Sequence, residues 1–344
     1  MGRLSQKAAI FIAGYERRYQ AHKEIASRIE DLVRQVVRDL GVDVHLVTAR
    51  AKGPDSLRGK LRRKNYSDPS AQVTDTVGVR IITYYRSGVD PVVEALKREF
   101  HIDRSRSEDK RRLLDLREFG YRSVHLIARL KPPRSRMSEY SDLAPVWFEI
   151  QVRSLLEHAW AEIEHEVVYK SGVDYPGSTT RLFGALAGTL EILDGEFEKL
   201  RYEKENLIES YKARYAQGED DRKRMDVARL LGFLRSRFPD SPTWGITRGT
   251  LPRGLDATCL EALRLVGLCT AYSLRVALSS RRYRNALETL AADLGEIPSR
   301  LSHLALMVLA VGIKDRAVLE SSFPEIVRQP AMVGVLSVAV HRHR

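Results

Sequence analysis

The strongest constraint on how this chain folds is the run VGVRIITYY at residues 77–85, which consists mainly of β-branched and aromatic residues. Residues of these types favour a β-strand. The apolar positions of residues 91–100 then have the spacing of a helix. Two further strands are predicted at 121–130 and 146–153, and the second runs directly into a helix at 154–170. Strands are therefore paired with helices in this part of the chain.

Both ends of the chain are predicted to be helical. Apolar positions in residues 5–40 recur at three, four and some longer intervals, which indicates a long amphipathic region that ends at Gly41 and serves as scaffold. Residues 182–215 also have helical periodicity, and the polar run QGEDDRK at 217–223 marks a boundary. We predict three parts: an N-terminal helical region at 1–45, a central domain at 46–216 and an all-helical accessory domain at 225–344.

Charge and composition narrow the class of partner. The formal net charge is +12 and the isoelectric point is near 9.7, which favours polyanions such as nucleoside triphosphates and RNA. Residues 101–136 hold eleven Lys and Arg against five Asp and Glu, a pattern that a solvated surface loop explains equally well. No stretch approaches the roughly 20 consecutive apolar residues of a membrane span, and the N-terminus lacks secretory features, so a cytoplasmic location is expected.

The first candidate site is the basic segment Arg50-x-Lys52-x-x-x-Ser56-x-x-x-Lys60. Ser56 and Lys60 are four residues apart and share one face of a predicted helix, while Arg50 and Lys52 come from an extended lead-in. Three cations and a hydroxyl can thus converge on a triphosphate, so we predict an ATP site. The alternative is a solvated basic helix, which is about as common for such a segment on its own.

Two carboxylates lie among apolar strand residues. Asp75 is at the start of the strand that holds Gly78 and Arg80, and Glu149 lies within the run WFEIQVR. Mg²⁺ prefers hard oxygen ligands of this kind in phosphate-transfer sites, so both acids are candidate ligands. A salt bridge to a nearby arginine, such as Arg80 or Arg153, is the alternative for each acid and is the commoner arrangement for an isolated one.

The segment FGYRSVH places Tyr121, Ser123 and His125 on one face of a predicted strand, because strand side chains alternate. The Tyr121 ring can stack on a base, and the other two can reach an acceptor's sugar or phosphates, although a core or rim position is commoner for a single Tyr or His. His158 and His165 lie in the next predicted helix without the zincin spacing. We expect them to pack or to form hydrogen bonds and not to bind metal.

Taken together, these segments resemble the synthetase domain of the RelA/SpoT family over about residues 49–170. The matching motifs are the basic segment from Arg50, DTVGVRII from Asp75, GYRSVH from Gly120, and EIQVR from Glu149, which continues into HAWAEIEH and Tyr169-Lys170. Four motifs in the family's order make this a specific resemblance.

The resemblance implies an α+β, nucleotidyltransferase-like fold, a mixed sheet flanked by helices. It implies an ATP site at Arg50, Lys52, Ser56, Lys60 and Arg80. Asp75 and Glu149 would bind Mg²⁺, and Glu149 would help to deprotonate the acceptor 3′-hydroxyl for attack on the β-phosphorus of ATP, with release of AMP. Tyr121 would stack on the acceptor base, beside Ser123, His125, Gln151 and Arg153. Such transfer depends on positioning and charge neutralisation, which explains why no covalent nucleophile is present.

The acceptor is less well defined. Relatives that act on GDP or GTP usually carry Lys-x-Asn before the Gly-Tyr pair, and this chain has Arg117 and Phe119 at those two places. Some relatives with a Phe-Gly-Tyr loop are toxins that pyrophosphorylate the 3′ end of tRNA. Two acceptors therefore remain open: a guanosine nucleotide, giving the alarmone (p)ppGpp of the stringent response, or the CCA end of tRNA, as in toxin–antitoxin or phage-defence systems.

A third hypothesis is a non-catalytic RNA-binding protein that has kept the fold. The presence of both Asp75 and Glu149 argues against it, because a degenerate enzyme is expected to lose an acid first. The helical segment at 225–344 is a candidate site for an antitoxin, a regulatory ligand or an oligomer partner.

Overall fold

The computed structural model of the chain describes residues 4–38, 40–64, 66–112, 123–169, 175–219, 222–239, 255–293 and 303–324. In chain order the helices are α1 (Gln6–Arg17), α2 (Tyr19–Arg38), α3 (Pro54–Lys64), α4 (Pro69–Gln72), α5 (Val89–Glu99), α6 (Leu155–Glu164), α7 (Gly177–Ala216), α8 (Val227–Arg237), α9 (Leu255–Leu265), α10 (Ala271–Leu278), α11 (Arg281–Asp293), α12 (His303–Lys314) and α13 (Arg316–Ser322). The chain divides into two compact units, Met1–Lys199 and Leu200–Arg344.

The first unit contains a five-stranded mixed sheet. Its strands are β1 (Val44–Ala51), β2 (Val77–Thr83), β3 (Phe100–Asp109), β4 (Val124–Leu130) and β5 (Phe148–Ser154). They lie in the order β1-β2-β5-β4-β3, with β2 and β5 parallel and every other pair antiparallel. The predicted α+β fold, a mixed sheet flanked by helices, is confirmed.

The two faces of the sheet differ in character. Alternate residues of β2 and β5 are fully buried and pack with apolar residues of α2 and α5: Val77, Val79, Ile81, Phe148, Ile150 and Val152. The residues between them point to the opposite face. There, Thr48, Arg80, Gln151 and His125 form one row across four strands. The polar residues that the motifs place within strands therefore share one side of the sheet.

Three local predictions need correction. The helical region predicted at 5–40 is two helices, which separate at Arg18. The helix predicted at 154–170 is α-helical only to Glu164 and continues as a π-helical turn, His165–Tyr169. The basic stretch after Phe100, which a surface loop would also explain, begins with β3, an edge strand whose outer residues are mostly exposed.

The described part of the second unit is helical. Its core contains buried residues from six helices, including Leu230, Leu263, Leu274, Ala286, Val311 and Leu319. The helical content predicted after Met225 is thus confirmed, whereas the predicted domain limits at 45, 216 and 225 stay a prediction. No helix in the described part of the chain is long and apolar enough to cross a membrane.

Candidate active site

A cavity of about 600 Å³ opens on the polar face of the sheet. Its walls come from α2, β1, the β1–α3 connection, α3, the residues before β2, β2 and β5. Polar side chains from all of these converge there: Tyr19, Thr48, Arg50, Lys52, Ser56, Asp75, Arg80, Glu149 and Gln151. The volume is within the range of small-molecule and cofactor pockets.

Asp75 lies between two ammonium groups. Lys52 Nζ is 2.6 Å and Lys60 Nζ is 2.7 Å from the same carboxylate oxygen, Oδ2. The antiparallel pairing of β1 with β2 brings Lys52 beside Asp75, and α3 supplies Lys60. Burial alone would raise the pKa of Asp75, but the two lysines hold it below its ordinary value. The carboxylate is therefore ionised at neutral pH, and both lysines are ordered around it.

Tyr15 of α1 fixes the backbone at this point. Its hydroxyl donates to the carbonyl oxygens of Lys52 at 2.6 Å and Thr76 at 3.2 Å. Burial raises the pKa of Tyr15, so the hydroxyl keeps its proton. The next turn of the chain places Tyr19 in the cavity wall. The sequence predicts scaffold for residues 5–40 and does not identify either tyrosine as a site residue, because the only local signal at both positions is apolar periodicity.

Glu149 forms a hydrogen bond with His125. Its Oε1 lies 2.7 Å from Nδ1 of His125, on the neighbouring strand β4. Burial alone would raise the pKa of Glu149, but the hydrogen bond and charge of His125, assisted by a hydrogen bond from Gln151, lower it. Glu149 therefore pairs with His125 and not with Arg153, which was the alternative partner. Arg153 instead lies 3.4 Å from Glu162 on α6.

The two acids fit a divalent cation. Asp75 and Glu149 line the same cavity and interact electrostatically. Asp75 Oδ1 is buried without a hydrogen-bond partner in the described part of the chain, which is unusual for a carboxylate oxygen. Within those residues no group of three or more His, Cys, Asp or Glu side chains is arranged for a metal. Two carboxylates that leave the other positions to water and phosphate suit Mg²⁺, which usually keeps several waters.

The other predicted site residues are distributed as follows. Arg80 lines the cavity and pairs with Glu162 at 2.8 Å. Ser123 and Arg153 are buried and do not line the cavity. The Arg50 side chain lines the cavity and forms neither an ion pair nor a hydrogen bond with a described residue, which leaves it available to a ligand. Tyr121, Arg117 and Phe119 lie outside the described residues.

Comparison with known proteins identifies a family for the part of the chain that supplies most of the cavity's residues. Residues 49–174 match the model of the region found in RelA/SpoT proteins. This chain has a RelA/SpoT domain. The resemblance predicted over about 49–170 is thus confirmed. The matched region begins within β1, so α1 and α2, with Tyr15 and Tyr19, lie outside it and still contribute to the site.

Two relatives of the RelA/SpoT domain come from Bacillus subtilis. GTP pyrophosphokinase YwaC is 32% identical over 136 residues, which cover 38% of this chain and 61% of YwaC. GTP pyrophosphokinase YjbM is 29% identical over 163 residues, which cover 46% of this chain and 73% of YjbM. This chain therefore spans about three fifths of YwaC's length.

Among solved structures, the small alarmone synthetase 1 of Bacillus subtilis bound to its product pppGpp is 25% identical, with a TM-score of 0.46. The match covers 56% of this chain and 98% of that structure.

Proposed function

We propose that the RelA/SpoT domain is an ATP-dependent pyrophosphokinase that transfers the β,γ-pyrophosphate of ATP to the 3′-hydroxyl of a guanosine nucleotide, giving (p)ppGpp. One observation supports the proposal most directly: a cluster of cations surrounds a single cavity that holds two carboxylates, Asp75 and Glu149, which together suit Mg²⁺ and of which Glu149 can also accept a proton. The naming of both relatives as GTP pyrophosphokinases supports it.

The donor binds on the β1–β2 side of the cavity. Arg50 is available for phosphate oxygens, and Lys52 and Lys60 are held in position by Asp75. Ser56, one turn before Lys60 on α3, adds a hydroxyl. Charge-assisted hydrogen bonds of this kind bind and orient a triphosphate. Mg²⁺ bound by Asp75 and Glu149 would neutralise charge on the transferred phosphates.

The acceptor binds on the β4 side of Glu149. The strand order places Glu149 on β5, between the donor strands β1 and β2 and the outer strands β4 and β3. Glu149 accepts the proton of the 3′-hydroxyl, whose oxygen attacks the β-phosphorus while the bond to the α-phosphate oxygen breaks and AMP leaves. His125 orients the carboxylate through its 2.7 Å hydrogen bond. Catalysis then rests on positioning and electrostatics.

Transfer of label tests this proposal. The full chain is incubated with Mg²⁺ and γ-labelled ATP, with GDP, GTP, ATP and deacylated tRNA offered separately as acceptors. Glu149→Gln removes the proton acceptor and is expected to lower transfer by about 100-fold or more. Glu94→Gln, which changes an exposed carboxylate on α5, is the matched control.

The acceptor that becomes labelled decides the result. Label on GDP or GTP that is lost in Glu149→Gln supports the proposal. Label on tRNA alone would replace the guanosine nucleotide with an RNA 3′ end. The absence of transfer to any acceptor would overturn the pyrophosphokinase proposal and favour a non-catalytic binding protein.

A further inference from the structure

The polar face of the sheet extends beyond Glu149 to a second group of cations. Trp147 directly precedes β5, and two guanidinium groups lie over its ring. The guanidinium carbon of Arg106 is 4.6 Å from the ring centroid and that of Arg129 is 4.8 Å away. We call these three residues the Trp147 cluster. It lies outside the cavity described above.

Strand register explains where the cluster lies. Trp147 is two residues before Glu149, so its side chain leaves the same face of the sheet, about 7 Å away along the strand. On β4, Ile127 pairs with Glu149, and Arg129 lies two residues farther along the same face. The cluster is therefore on the side of Glu149 where the acceptor is proposed to bind, and the donor cavity is on the other side.

Local backbone structure orients Arg106 in advance. Pairing of β3 with β4 is irregular between Asp103 and Glu108, and the Asp103 carboxylate accepts hydrogen bonds from the backbone amides of Ser105 and Arg106. The same carboxylate pairs with Arg106 Nε at 2.6 Å, and Arg106 Nη1 donates to the carbonyl oxygen of Ala71 at 3.3 Å. These contacts order the arginine and leave part of its guanidinium exposed.

Arg129 is the less constrained of the two. Its side chain is exposed and lies over the Trp147 ring, and among the described residues it forms no hydrogen bond or ion pair. The cluster's two arginines face one neighbouring carboxylate, that of Asp103, so the net charge of these three groups is positive. Two guanidinium groups held close to one aromatic ring repel each other, and an exposed cation–π contact offsets only a small part of that repulsion. An anion placed between or beside them would relieve the repulsion and use planar donors that match phosphate oxygens.

We propose that Arg106 and Arg129, held on Trp147, bind the 5′-phosphate of the acceptor nucleotide while its 3′-hydroxyl lies at Glu149. The inference rests on the proposed function, because it assigns the acceptor end of the same site. The separation of about two strand residues between Glu149 and Trp147 matches the scale of one nucleotide sugar, which lies between its 3′-oxygen and its 5′-phosphate. GDP, GTP and the last nucleotide of an RNA all carry a phosphate on the 5′-oxygen of the sugar.

Steady-state transfer by the full chain tests the assignment. Arg129→Ala and Arg106→Ala are each expected to raise the KM for GDP by about tenfold to a hundredfold, the worth of a charge-assisted hydrogen bond, with the KM for ATP unchanged. Arg129→Lys keeps the charge without the planar donors and should fall between Arg129→Ala and the unaltered chain. Arg98→Ala removes an exposed arginine from α5, on the other layer of the sheet, and is the matched control.

Equilibrium binding gives a second readout that does not depend on turnover. The unaltered chain should bind GDP more tightly than guanosine, and the two arginine variants should lose that difference. An unchanged KM for GDP, or an unchanged preference for GDP over guanosine, in both variants would overturn the inference while leaving pyrophosphate transfer intact. If the unaltered chain transfers nothing, the proposed function fails. The comparison of GDP with guanosine binding then still shows whether Arg106 and Arg129 bind the 5′-phosphate. A loss confined to RNA acceptors would identify the phosphate as that of an RNA end.

Discussion

One oxygen of the Asp75 carboxylate, Oδ2, lies 2.6 Å from the ammonium nitrogen of Lys52. Lys60 reaches the same oxygen, and the second oxygen, Oδ1, is buried without a hydrogen-bond partner among the described residues. The lysines that would bind phosphate are thus already ordered around one half of Asp75. The other half is left for a cation. This arrangement reduces the ordering that nucleotide binding requires.

The first prediction concerns Asp75→Asn. The change removes the charge that would hold Mg²⁺ but leaves Lys52 and Lys60 unaltered. We expect transfer to fall by about 100-fold and the Mg²⁺ concentration for half-maximal activity to rise at least about tenfold. ATP binding without Mg²⁺ should not weaken, because a negative charge has been removed. Magnesium titrations and metal-free binding measure both effects.

Asp55→Asn is the control for this prediction, since Asp55 is almost fully exposed on α3 and lies outside the cavity lining. An unchanged magnesium requirement in Asp75→Asn would contradict the assigned role of Asp75.

The second prediction concerns pH and His125. The hydrogen bond and charge of His125 help to hold the pKa of Glu149 below its ordinary value, against the effect of burial. Without the histidine, burial dominates, the pKa of Glu149 rises, and the carboxylate becomes protonated at a higher pH. His125→Ala should therefore shift the acidic limb of the kcat–pH profile upward, while His45→Ala should not. An acidic limb that stays in place would show that His125 does not tune Glu149.

The third prediction concerns stability and Glu157 at the start of α6. Glu157 forms a capping box with Ser154, and burial, with a contribution from Asp194, raises the pKa of Glu157 to about 7. Because the folded-state pKa is raised, the stabilising contribution is present in acid and is lost as pH rises through about 7. Glu157→Gln removes this dependence.

Relative to the variant, the unaltered chain should lose about 2 kcal/mol of unfolding free energy between pH 5 and pH 8. Urea unfolding followed by tryptophan fluorescence measures the difference. Trp160, which lines a small cavity with Glu157, reports on this part of the fold. Parallel pH profiles for the two proteins would argue against a shifted Glu157.

The fourth prediction concerns Gly232 on α8. A Cβ at this position would lie 2.5 Å from Cβ of Tyr211 and 2.9 Å from the carbonyl oxygen of Ile208. Gly232→Ala must separate α8 from the C-terminal part of α7, which should destabilise the second unit by about 1–3 kcal/mol. Gly184→Ala on α7 meets no atom within 4 Å and should be neutral or stabilising. The thermal unfolding midpoints of both variants separate the two effects, because Gly232→Ala changes packing whereas Gly184→Ala changes only helix propensity.

Sequence patterns predicted the elements that have strong local signals. The β-branched run became β2, and the spacing of Ser56 and Lys60 correctly placed both on one helix. The edge strand β3 was not predicted, because only Phe100 is buried along it and the rest shows no alternation of apolar and polar residues. A strand with one unpaired edge and one solvated face carries too little apolar pattern to identify it.

Contacts between residues that are far apart in the sequence were also not predicted. Nothing near Tyr15 indicates that its hydroxyl reaches Lys52 and Thr76, or that Trp147 meets Arg106 and Arg129. The pairing of Asp75 with lysines, where an arginine was the expected alternative, also depends on how β1, α3 and β2 come together. These relationships follow from strand order and register, which local periodicity does not specify.

The placement of β5 between β2 and β4 has a consequence for synthesis of the protein. β5 is the last of the five strands along the chain, yet it occupies the middle of the sheet. As the chain leaves the ribosome, Asp75 and the basic segment emerge well before Glu149, and the sheet cannot close until β5 inserts between strands made earlier. A nascent or truncated chain that ends before residue 149 therefore carries the basic segment and Asp75 without Glu149, and the two acids come together only when β5 has inserted between β2 and β4.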